Sequence, residues 1–106
     1  MIPITTKLAG VSFGDCQENI KCYANPSELG IDEYDLVREP DNPHDKNAVR
    51  VGFGCFKFGY LKTDLGQKIS PLLEKGQNLV AVFVSLNRSP YHDTVGLTIR
   101  IIEITN

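Results

Sequence analysis

Between Arg38 and Val49 the chain reads R-E-P-D-N-P-H-D-K-N-A-V, and no other stretch restricts its fold so tightly. Pro40 and Pro43 each lock φ and push the preceding residue toward extended geometry. Asp41, Asn42 and Asp45 can fold their side chains onto their own backbone in Asx-turns. The β-branched run that follows makes this a rigid, polar connection between two strands. Six side chains can bond or stack outward from it: Arg38, Asp41, Asn42, His44, Asp45 and Lys46. Polar loops held by strands often carry binding residues. The same composition also describes a well-made turn with no further role.

The rest of the chain alternates short strand patterns with turn signals. Lys7 to Phe13 reads as a strand, with Ala9, Val11 and Phe13 on one face by period two. From Asp15 to Ala24, the spacing of Cys16, Ile20, Tyr23 and Ala24 predicts one stripe of a short amphipathic helix. Asn25-Pro26 ends it, and Pro26 to Gly30 is a turn or one helical turn. Tyr34 to Arg38 is the second strand, and Asn47 to Phe53 the third. Gly52-Phe53-Gly54 predicts a tight reversal into Cys55 to Leu61, with Phe56, Phe58 and Tyr60 sharing a face. A helix capped by Thr63 or Asp64 then buries Leu65, Ile69, Leu72 and Leu73, and Gly76 closes it. Pro71 inside it predicts a kink or a split into two pieces. Leu79 to Leu86 is a buried strand, Arg88 to Asp93 a loop, and Val95 to Thr105 the last strand, whose alternation changes phase as if a bulge lay near Ile101–Ile102. The expected fold is mainly β with two short helical segments, a small OB-like or SH3-like barrel of about six strands.

A chain of 106 residues is expected to form a single domain over residues 1–106. Net charge is −2, which argues against a general polyanion binder. The charge is uneven: residues 1–45 hold three basic and nine acidic side chains, whereas residues 46–68 hold Lys46, Arg50, Lys57, Lys62 and Lys68 against Asp64. That middle segment can form a local anion-binding patch, or simply solvated strand and helix faces. Cys16, Cys22 and Cys55 are an odd set with no close pair, so free thiols and a reducing compartment are expected. No long apolar run opens the chain and none approaches the ~20 residues of a membrane span, so a cytoplasmic protein without membrane association is expected.

Catalytic patterns are missing. His44 and His92 sit in loops, no nucleophile elbow surrounds any serine, and Asp41 and Asp45 lie among prolines as turn-forming acids do. There is no phosphate-cradling glycine loop and no metal-ligand spacing. The chain is expected to be no enzyme and to use no cofactor or metal. Binding patterns are present: Phe13, His44, Tyr60 and Tyr91 are candidate exposed rings, on which base stacking contributes ~1–3 kcal/mol per base, and Lys46, Arg50, Lys57 and Lys62 are candidate phosphate contacts. Phe13 and Tyr60 read equally well as core residues.

The string from Arg38 to Val49, followed by G-Y-L at Gly59 to Leu61 and a helix ending P-L-L-E-K-G, resembles the HIRAN domain family. Gly10-Val11-Ser12-Phe13 and Gln17-Glu18-Asn19-Ile20 also fit, so the likeness covers nearly the whole chain. It implies an OB-like barrel that binds the free 3′ end of single-stranded DNA and acts at stalled replication forks, beside a helicase or nuclease partner. By the same resemblance, Phe13 and His44 are the two residues that sandwich the terminal base. Asp45 accepts a hydrogen bond from the 3′-hydroxyl, Asn42 is the loop asparagine, and Tyr60 and Lys62 fall at further contact positions. An arginine and a second tyrosine flank the first ring in the DNA-binding members, and here those places hold Ser12 and Gly14. With the acidic N-terminal half, these departures motivate the other reading, a protein-interaction barrel that has lost the DNA-end pocket.

Overall fold

The computed structural model describes residues 2–24 and 32–104. The turn expected at Pro26 to Gly30 lies outside the described residues. Six strands form one antiparallel sheet: β1 (Ile4–Lys7), β2 (Glu33–Arg38), β3 (Val49–Phe53), β4 (Phe56–Tyr60), β5 (Leu79–Ser89) and β6 (His92–Glu103). Their order across the sheet is β1-β6-β5-β2-β3-β4. The sheet curls into a small OB-like barrel. Its two edge strands meet at one place, where Ala9, just past β1, exchanges two backbone hydrogen bonds with Tyr60 of β4, at 2.8 and 2.9 Å. Gly59 permits the seam, since a Cβ there would lie 2.7 Å from the Ala9 carbonyl oxygen. Helix α1 (Cys16–Tyr23) lies beside β4, where Asn19 Nδ2 donates to the Lys57 carbonyl at 3.0 Å and so occupies an acceptor on an otherwise open edge.

The core follows period-two alternation, except that Phe53, read from the sequence as sharing a face with Val49 and Val51, is exposed. Val95, Leu97, Ile99 and Ile101 of β6 are all buried, as are Val49 and Val51 of β3 and Cys16, Ile20 and Ala24 on and just after α1. Tyr34 meets Phe58 edge to face at 5.0 Å, an arrangement that adds about 0.5–1.5 kcal/mol beyond area burial. Helix α2 (Thr63–Glu74) seats Ile69 in this core and brings Gly66 against the Asn47 carbonyl, where a Cβ would lie 2.9 Å away. Gly76 (φ +92°) ends α2: its own amide bonds to Leu73 and that of Gln77 to Leu72, the two bonds of a Schellman stop.

Several expectations are corrected. The first strand is Ile4–Lys7, not Lys7 to Phe13, because Gly10 at φ +67° turns the chain and takes Val11 to Phe13 out of any ladder. Helix α2 runs unbroken through Pro71, and its N-cap is Lys62, without a side-chain cap; the Asp64 carboxylate accepts from the next backbone amide instead. The β3–β4 reversal turns on Gly54-Cys55, with Gly54 at φ +58°. The span from Arg88 to Asp93 is mostly strand, and only Pro90-Tyr91 turns. Pairing across Ile101–Ile102 is regular, and the β5–β6 irregularities fall instead between Phe83 and Ser85 and between Asn87 and Ser89. A bulge in β4 also breaks the expected Phe56–Phe58–Tyr60 face. Val51 pairs with Gly59 and Gly52 with Lys57, so Phe58 is the extra residue and enters the core. Tyr60 then stands beside Lys57 on the outer face, opposite Arg50.

Candidate functional site

The loop after β2 is built from its own side chains. Asn42 Oδ1 accepts the backbone amides of His44 (2.9 Å) and Asp45 (3.2 Å), and Asp45 Oδ1 accepts that of Asn47 (2.9 Å). These are the Asx-turns the sequence predicts at Asn42 and Asp45, whereas the one expected at Asp41 does not form: its side chain is exposed and bonds nothing among the described residues. Backbone bonds from Glu39 to Ala48 and from Ala48 to Asp45 close the base. Arg38 anchors the approach: its Nε donates to Ser70 Oγ at 3.0 Å and its guanidinium lies 3.5 Å from Glu74, which ties β2 to α2.

Glu39, which is not among the six side chains singled out in this loop from the sequence, organises the site. Its Oε1 accepts both the Asn42 side-chain amide (3.1 Å) and the Tyr60 hydroxyl (2.8 Å). One carboxylate thereby fixes the loop against β4. Burial, and next the hydrogen bond to Glu39, raise the Tyr60 phenol above its ordinary pKa, while nearby Lys57 opposes the rise. Lys57 Nζ lies 3.4 Å from the Tyr60 hydroxyl and 5.1 Å from its ring centre.

Phe13 arrives from the other side. Gly10 and Gly14, both with positive φ, bound the turn that carries it. Gln17 pins that turn: its Nε2 donates to the carbonyls of Val11 and Val95, both at 2.9 Å, and its Oε1 accepts the Val95 amide at 2.7 Å. The Phe13 ring is left 70% exposed, which excludes the reading of Phe13 as a core residue.

These parts enclose an open cleft of about 460 Å³ lined by Phe13, Asn42, His44, Asp45 and Tyr60, with Ala9, Gly10 and Thr63 among the other walls. Five of the six residues singled out from the sequence therefore converge, from three separate segments. The sixth, Lys62, is exposed between the lining residues Leu61 and Thr63 but is not itself a wall of the cleft. Asp45 keeps one carboxylate oxygen with no hydrogen bond among the described residues, since only Oδ1 is engaged by the loop. An apolar ring, a histidine and a partly free carboxylate around an open space suit a flat heterocycle that carries a hydroxyl.

Tyr91 is 87% exposed at the β5–β6 turn and does not line the cleft. Among the described residues no three side chains are grouped as metal ligands would be, and no helix is long and apolar enough to cross a membrane.

The HIRAN domain model matches residues 6–101. The chain belongs to the HIRAN domain family. A Fanconi-associated nuclease 1 homolog from Arabidopsis thaliana is 36% identical over 72 residues, which is 67% of this chain. The chain spans only 7% of that protein's length. No solved structure matches it. HIRAN domains are generally nucleic-acid-binding modules, and here the matched span contains the cleft and every residue that shapes it.

Proposed function

We propose that this HIRAN domain binds single-stranded DNA and holds a free 3′-hydroxyl end in the cleft. The convergence of Phe13, His44 and Asp45 on one open space supports this reading. Phe13 and His44 stack on the terminal base, each such contact being worth ~1–3 kcal/mol. The free oxygen of Asp45 accepts the terminal hydroxyl. A terminal phosphate placed there would meet the carboxylate charge, so the same residue that reads one end rejects the other. Asn42 positions rather than contacts, because both ends of its amide are spent inside the loop. Lys62, just outside the cleft, meets a backbone phosphate. Few phosphate contacts are needed at a strand end, which fits a domain of net charge −2.

The domain binds and does not cut; chemistry on the DNA belongs to a partner such as a nuclease or helicase in repair or fork processing. The nuclease named among its relatives motivates that pairing.

Fluorescence titration with short oligonucleotides ending in 3′-hydroxyl or 3′-phosphate tests the assignment. Wild type should prefer the hydroxyl end, and Asp45→Asn should lose that preference. Equal wild-type affinity for both ends removes the role given to Asp45. Strand cleavage by the pure domain with magnesium or manganese would overturn its standing as a non-catalytic module.

A further inference from the structure

Beside the cleft, across the Tyr60–Glu39 pair, lies a second cavity of about 370 Å³. Arg50, Lys57, Cys55 and Gly14 line it, together with Asp15 and Glu39. Arg38 and Arg50 are the two partly buried arginines among the described residues. Arg38 is satisfied by Ser70 and Glu74. The Arg50 guanidinium has no hydrogen bond or ion pair among the described residues, although two carboxylates line the same cavity. Lys57 has only the long contact to the Tyr60 hydroxyl. Glu39 spends Oε1 on two donors, and neither it nor Asp15 makes an ion pair with Arg50 or Lys57 among the described residues. Two cations held near one cavity without a carboxylate on either are a site whose anion comes from outside the chain.

We infer that Arg50 and Lys57 form a phosphodiester subsite, which takes the backbone phosphate next to the terminal nucleotide and leads the strand out of the cleft past Tyr60. This rests on the strand-end reading above. Base and phosphate recognition are thereby divided between two cavities, with Tyr60 lining the first, Glu39 lining the second and the hydrogen bond between them at the divide.

The two cysteines outside the core provide an internal comparison. Cys55 lines this cavity and is exposed, and Cys22 is exposed but not part of it. Cys16 is buried, and that burial raises its thiol pKa and keeps it unreactive. The test combines salt-dependent titration of a 3′-hydroxyl oligothymidylate with maleimide modification followed by mass spectrometry. Bound oligonucleotide should slow modification of Cys55 and leave Cys22 unchanged, whereas thymidine, which has no phosphate, should protect neither. Arg50→Gln should weaken the oligonucleotide roughly tenfold at low salt, as loss of one charge-assisted contact does, and flatten the log–log salt slope by about 0.7. It should keep the preference for a hydroxyl end. An oligonucleotide that binds with that preference while Cys55 reacts at its free rate and Arg50→Gln retains the wild-type slope overturns this subsite and leaves the cleft standing. Failure of the wild type to bind any oligonucleotide at low salt overturns both.

Discussion

The cleft has two walls built on opposite plans. The wall from Glu39 to Ala48 is held by bonds between residues a few positions apart: Asn42 to His44 and Asp45, Asp45 to Asn47, Glu39 to Asn42. The wall around Phe13 is held from a distance, by Gln17 reaching Val95 across 78 positions of sequence. The first plan shapes a loop mostly by bonds that need no distant strand, the Glu39–Tyr60 bond apart. The second makes a turn that has its shape only after the barrel closes. A stacking site with one wall of each kind is preformed on one side and conditional on the fold on the other.

Gln17→Ala challenges that contrast most severely. It leaves the Val11 and Val95 carbonyls and the Val95 amide without their partner, and each unsatisfied buried group costs about 1–3 kcal/mol. A loss of about 2–4 kcal/mol is expected from urea denaturation, part of it recovered by water entering this partly open site. Hydrogen exchange should rise around residues 11–14 and stay unchanged around 42–48. A rise in both segments would show that the walls are not independent.

Asn42→Ala acts on the other wall. It removes three local bonds, and the expected cost is about 1–2 kcal/mol, the scale of a lost cap. Affinity for single-stranded ends should fall while the Phe13 turn keeps its exchange protection.

Glu39→Gln is milder, because the amide oxygen still accepts from Tyr60 and Asn42, and about 1 kcal/mol or less should be lost. Its sharper signature lies in titration. The raised Tyr60 pKa means that the folded protein holds the phenolic proton above the ordinary value of about 10, where the unfolded chain releases it. That contribution to stability is complete below about pH 10 and fades as pH climbs through the raised folded-state value. Removing the Glu39 charge should move the Tyr60 transition down toward the ordinary value, visible by absorbance near the phenolate band. An unmoved transition would mean that burial alone sets it.

Asp41→Ala should change stability by no more than about 0.5 kcal/mol, because Asp41 is exposed and its side chain bonds nothing among the described residues. A larger loss would show that the loop depends on its full acidic set and not on Asn42 and Asp45.

The same contrast explains what was legible in the sequence. Prolines and Asx residues act over two or three positions, so the loop could be read from its letters, and the buried faces of β3 and β6 from their period. Phe13 reads as part of a strand because its turn depends on Gly10 and on Gln17 bonding a strand far along the chain. Glu39 does not stand out in the sequence because its partner Tyr60 is 21 positions away. The β4 bulge was hidden because period two cannot show which residue of an aromatic alternation is the extra one. Arg50 and Lys57 carry no local sign of being without carboxylate partners; only the closed barrel shows which carboxylates fail to reach them.

The seam between Ala9 and Tyr60 has a consequence for how the barrel resists opening. Two hydrogen bonds join its edge strands, and both residues that make them are also walls of the cleft. An occupant resting on Tyr60 and Phe13 therefore sits across the join like a rivet through the overlap of a rolled sheet. Whatever fills the cleft must also hold the cylinder shut, and the amides of Ala9 and Tyr60 become gauges of occupancy that can be read without any label on the guest.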